Sequence, residues 1–202
     1  MPFFRCAGAL APAPLAGSAS LLLTHTDPTF GKQPPQEEAM KKKPKLIIVL
    51  GSGGHTAQMA RLTEMLYDTY DFEYVINDDD NTSINKIKYL GDLHIVPRPR
   101  RKNDKAIIRS VCLTMYSIVR AFCIVMNSAS IGIVSAGPGL SIPLFLWALI
   151  FGKKRIFIES WSRVTTKSVT GKICYYLSNQ FFVQWPELIK IYPKAIYAGR
   201  LG

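Results

Sequence analysis

Three short segments of this chain carry residue types that do chemistry, and each follows an apolar run. They are Leu50-Gly-Ser-Gly-Gly-His-Thr56, Ser135-Ala-Gly-Pro-Gly139 and Glu159-Ser-Trp-Ser-Arg163. Gly51, Gly53 and Gly54 let the backbone approach a ligand. A helix starting there would add unpaired N–H groups and a positive dipole end, which together hold a phosphate. Ser52 and Thr56 supply hydroxyls that either bond a phosphate oxygen or cap that helix. His55 is a donor or base facing the ligand, or a ring that merely steadies the turn. Gly137 and Gly139 would line the same cleft if their strand lies beside the first. Glu159 can take a proton or hold a sugar hydroxyl while Arg163 meets a phosphate, or the two can simply pair.

The first segment also matches part of a dinucleotide fingerprint, with Asp78 placed where a ribose-binding acid would follow. Thr56 occupies the third glycine position, which disfavours a nicotinamide cofactor. No other segment asks for a cofactor. The four cysteines, Cys6, Cys112, Cys123 and Cys174, lack metal-ligand spacing and read as buried, reduced thiols, so no metal is expected.

The elements that must position these loops alternate along the chain. Strands are expected at 46–50, 72–76, 93–96, 131–135, 156–158 and 180–183, with helices at 55–67, 105–126 and 140–151. Such βα alternation predicts an α/β fold, a Rossmann-like parallel sheet with helices on both faces. Glycine turns following two neighbouring strands then meet in one crevice. The apolar helix at 140–151 would reach only about 18 Å, too short to span a bilayer, and reads as core. The helix at 105–126 is long enough, but Arg109 and Arg120 argue against crossing; lying on a membrane with its apolar face down stays open.

The chain has 202 residues, 48% of them hydrophobic, and a formal net charge of +11. That length holds one sizeable core. The charge suits phosphates or anionic lipid head groups. Nucleic acid is disfavoured, since there is no basic base-reading helix and no aromatic-studded sheet motif. The basic run Arg98-Pro-Arg-Arg-Lys102 is either a solvated face or a site of attraction for anionic lipid or a lipid diphosphate. Residues 1–43 differ from the rest. Positions 6–26 carry no formal charge, yet Pro12, Pro14 and many small residues make them a weak anchor, a targeting peptide or a disordered leader. A polar linker with Lys41, Lys42 and Lys43 at its end follows, and 44–202 is expected to be the folded domain.

Taken in order, these pieces resemble the asparagine-linked glycosylation protein 14 family. The matching text is Leu50-Gly-Ser-Gly-Gly-His-Thr56, Ile95-Val-Pro-Arg98, Gly137-Pro-Gly139, Ile158-Glu-Ser160 and Arg163. It continues through Ser168-Val-Thr-Gly-Lys172, Val183-Gln-Trp-Pro-Glu187, Tyr192-Pro-Lys194 and Tyr197-Ala-Gly-Arg200. Ala136 stands where the family usually has Asn.

The resemblance implies the N-terminal, acceptor-binding half of a GT-B glycosyltransferase. It implies a partner of the asparagine-linked glycosylation protein 13 type that holds most of UDP-GlcNAc. Together the two would transfer a second GlcNAc, with inversion, to GlcNAc-diphosphodolichol on the cytosolic face of the endoplasmic reticulum membrane. By position, Gly51, Ser52, Gly53, Gly54, His55 and Thr56 would cradle the acceptor diphosphate, and Gly137 and Gly139 would line the cleft. Glu159 and Arg163 would face the acceptor sugar, with His55 and Glu159 the candidate catalytic groups. Tyr192, Tyr197, Arg200 and Leu201 would form a tail docked on the partner. A scaffold without catalytic residues, and a bacterial-type exopolysaccharide glycosyltransferase subunit, are the alternatives.

Overall fold

The computed structural model describes residues 43–98 and 107–201. The leader, most of the linker, Cys6 and the basic residues at 99–102 therefore lie outside the described residues. Seven strands form one parallel sheet: β1 (Lys45–Val49), β2 (Asp71–Asn77), β3 (Gly91–Val96), β4 (Gly132–Ser135), β5 (Lys154–Ile158), β6 (Gln180–Val183) and β7 (Ile196–Tyr197). Their order across the sheet is β3-β2-β1-β4-β5-β6-β7. The chain builds outward from β1 to β3, returns to the other side of β1, and builds outward again. In such a sheet the connections after β1 and β4 leave in opposite directions and open a crevice at the strands' carboxyl ends.

The sheet's two faces are covered unequally. Central strands buried on both sides read as continuous apolar runs, and β1 is one: Ile47 and Val49 face one layer, Leu46 and Ile48 the other. On the first face lie α3 (Ile107–Asn127), α4 (Ser141–Ile150) and α5 (Val169–Leu177), contributing Ala121, Ile124, Val125, Leu144, Phe145, Ala148 and Cys174 to the larger core. The second face carries α1 (Gly54–Leu66), which packs Met59, Leu62 and Leu66 onto Leu46, Ile48 and Ile76. Beyond α1, over β4, β5 and β6, this face stays open as an apolar groove of about 510 Å³.

Buried Arg155 ties the covered face together at its far edge. Its guanidinium donates to the carbonyls of Leu177, Ala148 and Lys153, gathering the C-terminal ends of α4 and α5. Carbonyls at helix ends carry partial negative charge, so a buried cation there needs no carboxylate partner.

Four elements escaped the sequence reading: α5, the single turn α2 (Asn81–Ile84), a 3₁₀ turn at Pro186–Lys190, and the two-residue β7. Cys112, expected to be buried, is exposed on α3, because that part of the helix leaves the sheet surface; Cys174 is buried.

Candidate active-site crevice

The two glycine loops meet. A methyl group on Gly51 would lie 2.8 Å from Pro138 Cβ, so the loop after β1 rests directly on the loop after β4. Gly137 has φ +99, and a Cβ there would sit 2.6 Å from Cε1 of His55 and 2.9 Å from its Nδ1. Only glycine satisfies both the backbone and the imidazole at that point. Gly53, with φ +75, precedes α1 and has no side chain to cap it, so the helix starts without a side-chain cap. That turn contains no acidic residue. Its orphan N–H groups and dipole are therefore without a side-chain cap or a first-turn acid among the described residues.

His55 stands at this helix entrance with Nδ1 buried and without a hydrogen-bond partner among the described residues. Burial pushes its imidazole below the ordinary histidine value, against the opposing influence of the Ala136 backbone and the Glu159 charge. The ring is thus neutral at pH 7. Ser52 is exposed beside it, as is Gly139.

Thr56 is different. It is completely buried, and its hydroxyl donates to the Gly51 carbonyl and lies against Ser83 Oγ. Ser83 in turn donates to Asp80, which caps α2. The hydroxyl, read from the sequence as a phosphate ligand or a helix cap, fastens the loop's shape. The unforeseen α2 is what brings its partner into reach.

The third loop holds a comparable surprise. Glu159 is 0% exposed. One carboxylate oxygen accepts the Ser160 N–H at 3.0 Å and the other the Tyr192 O–H at 2.9 Å. Its Oε2 sits against the first turn of α5, 2.0 Å from where a Gly171 Cβ would be. Ser168 caps that helix by accepting from the Gly171 N–H, and the helix dipole favours the nearby carboxylate. Glu159 therefore points into the core. It does not pair with Arg163, which is exposed on the same loop. Tyr192, expected in a docking tail, is also 0% exposed, packed on Tyr175 and Phe181 beneath Glu159. Both placements follow from α5, which creates a polar pocket inside the core.

Trp161 was not singled out from the sequence as a site residue. It is partly exposed, and its Nε1 would be 3.0 Å from a Cβ on Gly54, so the indole overhangs the start of α1. The Trp185 indole N–H donates to the Trp161 carbonyl at 2.7 Å and fixes the loop from behind. An aromatic residue in a polar strand-end loop was the available signal. Arg200 stacks over the Trp185 ring, while Leu201 donates its N–H to Gln184 and lies at the rim of the apolar groove. Tyr197 is exposed on β7.

This geometry can be set against known proteins. The profile of the family "Oligosaccharide biosynthesis protein Alg14 like" matches residues 46–201. The chain belongs to this family. A rat UDP-N-acetylglucosamine transferase subunit ALG14 is 39% identical over 178 residues, covering 77% of this chain and 82% of the relative. The human subunit is 35% identical over 180 residues, with the same coverages of 77% and 82%.

Among solved structures, Acinetobacter baumannii MurG superposes with a TM-score of 0.59 at 11% identity, covering 78% of this chain and 44% of MurG. A Neisseria meningitidis UDP-GlcNAc 2-epimerase, solved with UDP-GlcNAc bound, gives 0.58 at 13% identity, covering 78% and 47%. The chain spans under half the length of these structures. Its fold is that of one half of a GT-B enzyme.

Proposed function

We propose that this chain is the acceptor-side subunit of a two-chain UDP-GlcNAc transferase. Its substrate is a lipid-linked GlcNAc diphosphate, the precursor receiving its second sugar in N-glycan assembly. The observation that carries this reading is the crevice between β1 and β4: an uncapped helix N-terminus, two interlocked glycine loops and a neutral histidine with an unsatisfied ring nitrogen. These groups suit a diphosphate, whose oxygens would accept from the α1 N–H groups and from His55. The exposed Arg163 and Ser52 extend the same surface toward the sugar.

A transferase also needs a donor site, and GT-B enzymes place it on a second domain facing this one across a cleft. A partner chain of the asparagine-linked glycosylation protein 13 type supplies it. Support for a docked partner comes from the groove over β5 and β6, lined by Leu62, Leu66, Ile156, Phe182 and Leu201 at its rim. The exposed Tyr197 and Arg200 are the polar side of the same interface. Membrane recruitment of that partner to the cytosolic face of the endoplasmic reticulum completes the role.

The test is co-purification with the donor-binding partner, followed by GlcNAc transfer to a GlcNAc-diphospholipid. Activity is expected from the pair and not from either chain alone. Full activity from this chain by itself overturns the half-enzyme reading. Full activity of the pair carrying His55→Ala and Gly53→Ala would leave this chain as a scaffold.

A further inference from the structure

Helix α3 carries a surface that the fold does not use. Ser110–Asn127 is long and apolar enough to cross a membrane, yet only 22% of it is buried in the protein. Its buried residues cluster toward its C-terminal end, where Ala121, Ile124 and Val125 join the core. Toward the other end, Val111, Met115 and Val119 are 55%, 56% and 52% exposed, with exposed Tyr116 and Cys112 beside them. Positions 111, 115 and 119 are four residues apart and form one stripe along the helix.

Crossing a bilayer is ruled out by topology. α3 joins β3 to β4, and both strands sit in the same sheet two and one places from β1. A spanning helix would put them on opposite sides of a membrane.

We infer that the Val111–Met115–Val119 stripe of α3 lies in the interface of an anionic membrane, seating the folded domain on the lipid surface. Charge favours this occupant over a protein. From Arg98 through Arg120, the stretch that leads into and along α3, the sequence has seven Lys or Arg residues and one acid, Asp104, and α3 itself has no acidic residue. An amphipathic helix in basic surroundings binds anionic lipid through both contributions. α3 also begins on the edge of the sheet where β3 ends, the same edge that carries the crevice. A diphosphate tethered to a lipid can then reach the glycine loops without leaving the membrane. This deepens the function proposed above and rests on it for the nature of the acceptor.

The test uses the full chain with its donor-binding partner and vesicles of phosphatidylcholine with or without phosphatidylserine. In a C6S/C123S background, Cys112 carries an environment-sensitive fluorophore; L90C in a background also lacking Cys112 is the control, since Leu90 is exposed between β2 and β3 at the opposite sheet edge. The label at 112 is expected to shift to the blue with anionic vesicles. Nitroxides near the head groups should quench it more than nitroxides at the midplane, while the label at 90 stays aqueous. Strongest quenching from the midplane, continued access to aqueous iodide, or equal shielding without lipid would each overturn the inference.

The triple variant V111E/M115E/V119E should lower transfer to a long-chain acceptor in vesicles by about tenfold. It should leave transfer to a short-chain, water-soluble GlcNAc-diphosphoisoprenoid unchanged. Equal loss on both acceptors overturns the membrane surface. If the unaltered pair uses neither acceptor, the proposed function falls, and the quenching pattern still decides the surface.

Discussion

His55 and Glu159 follow β1 and β5 at the same sheet edge, with β4 between them, and their surroundings are opposite. The imidazole sits at a helix start without a side-chain cap, with buried Nδ1 making no well-formed hydrogen bond among the described residues. The carboxylate sits at a capped helix start with both oxygens taken by Ser160 and Tyr192. Each is crowded by a glycine that makes room for it, Gly137 for the ring and Gly171 for the carboxylate. A buried polar group without a partner costs folding free energy and persists where something else, such as a ligand, uses it. A fully bonded one stabilises. Under the function proposed above, the first loop is prepared for a ligand, whereas Glu159 in the third is locked for the fold.

Glu159→Ala separates the two most sharply. It strands the Tyr192 hydroxyl and the Ser160 N–H in the core and leaves a void, costing about 3 kcal/mol of stability. Thermal or denaturant unfolding reads this directly. A variant with unchanged stability and lost transferase activity would make Glu159 chemical after all. Next in size is Gly137→Ala. The new methyl displaces the His55 ring and strains the backbone, and a misplacement of that kind costs about 100-fold in activity. Steady-state transfer by the purified pair measures it, and near-normal turnover would mean that the position of the imidazole is immaterial.

The contrast explains what was legible in the sequence. Strand-glycine-helix order and βα alternation depend on local pattern, so the sheet, the first two loops and their shared crevice could be read from residue types alone. The orientation of Glu159 depends on α5 and on Tyr192, 33 residues away in sequence, and no local signal reports such a contact. Thr56 escaped for the same reason, since its partner Ser83 belongs to a single helical turn lacking apolar periodicity. The open groove was equally unreadable, because it comes from an uneven distribution of helices between faces. Trp161 was visible as an aromatic in a polar loop, but only its approach to Gly54 gives it a place.

Removing the imidazole sharpens the comparison through pH. His55→Ala should lower transfer by about tenfold if the ring is one of several donors to the diphosphate. Its effect on stability has a defined sign. Burial holds the folded-state pKa below the unfolded value of 6.5, so the unfolded chain binds the proton first as pH drops. The intact protein keeps the full contribution above about pH 6.5 and loses stability as pH falls through that value toward the folded pKa. The variant should show a shallower acid-side slope in melting temperature between pH 7 and 5. An unchanged slope would mean that the ring is free to protonate in place.

The smallest expected effect belongs to Thr56→Val, which tests whether the first loop is itself partly locked. The substitution keeps the volume and removes the hydroxyl that links the Gly51 carbonyl to Ser83 and Asp80. A single buried hydrogen-bonding hydroxyl is worth about 1 kcal/mol, so a modest drop in unfolding stability is expected with little change in KM for the acceptor. A rise in KM with stability intact would instead put Thr56 in contact with the diphosphate, which requires the loop to open on binding. The measurement therefore divides the six residues of the loop into those that shape it and those that meet the ligand.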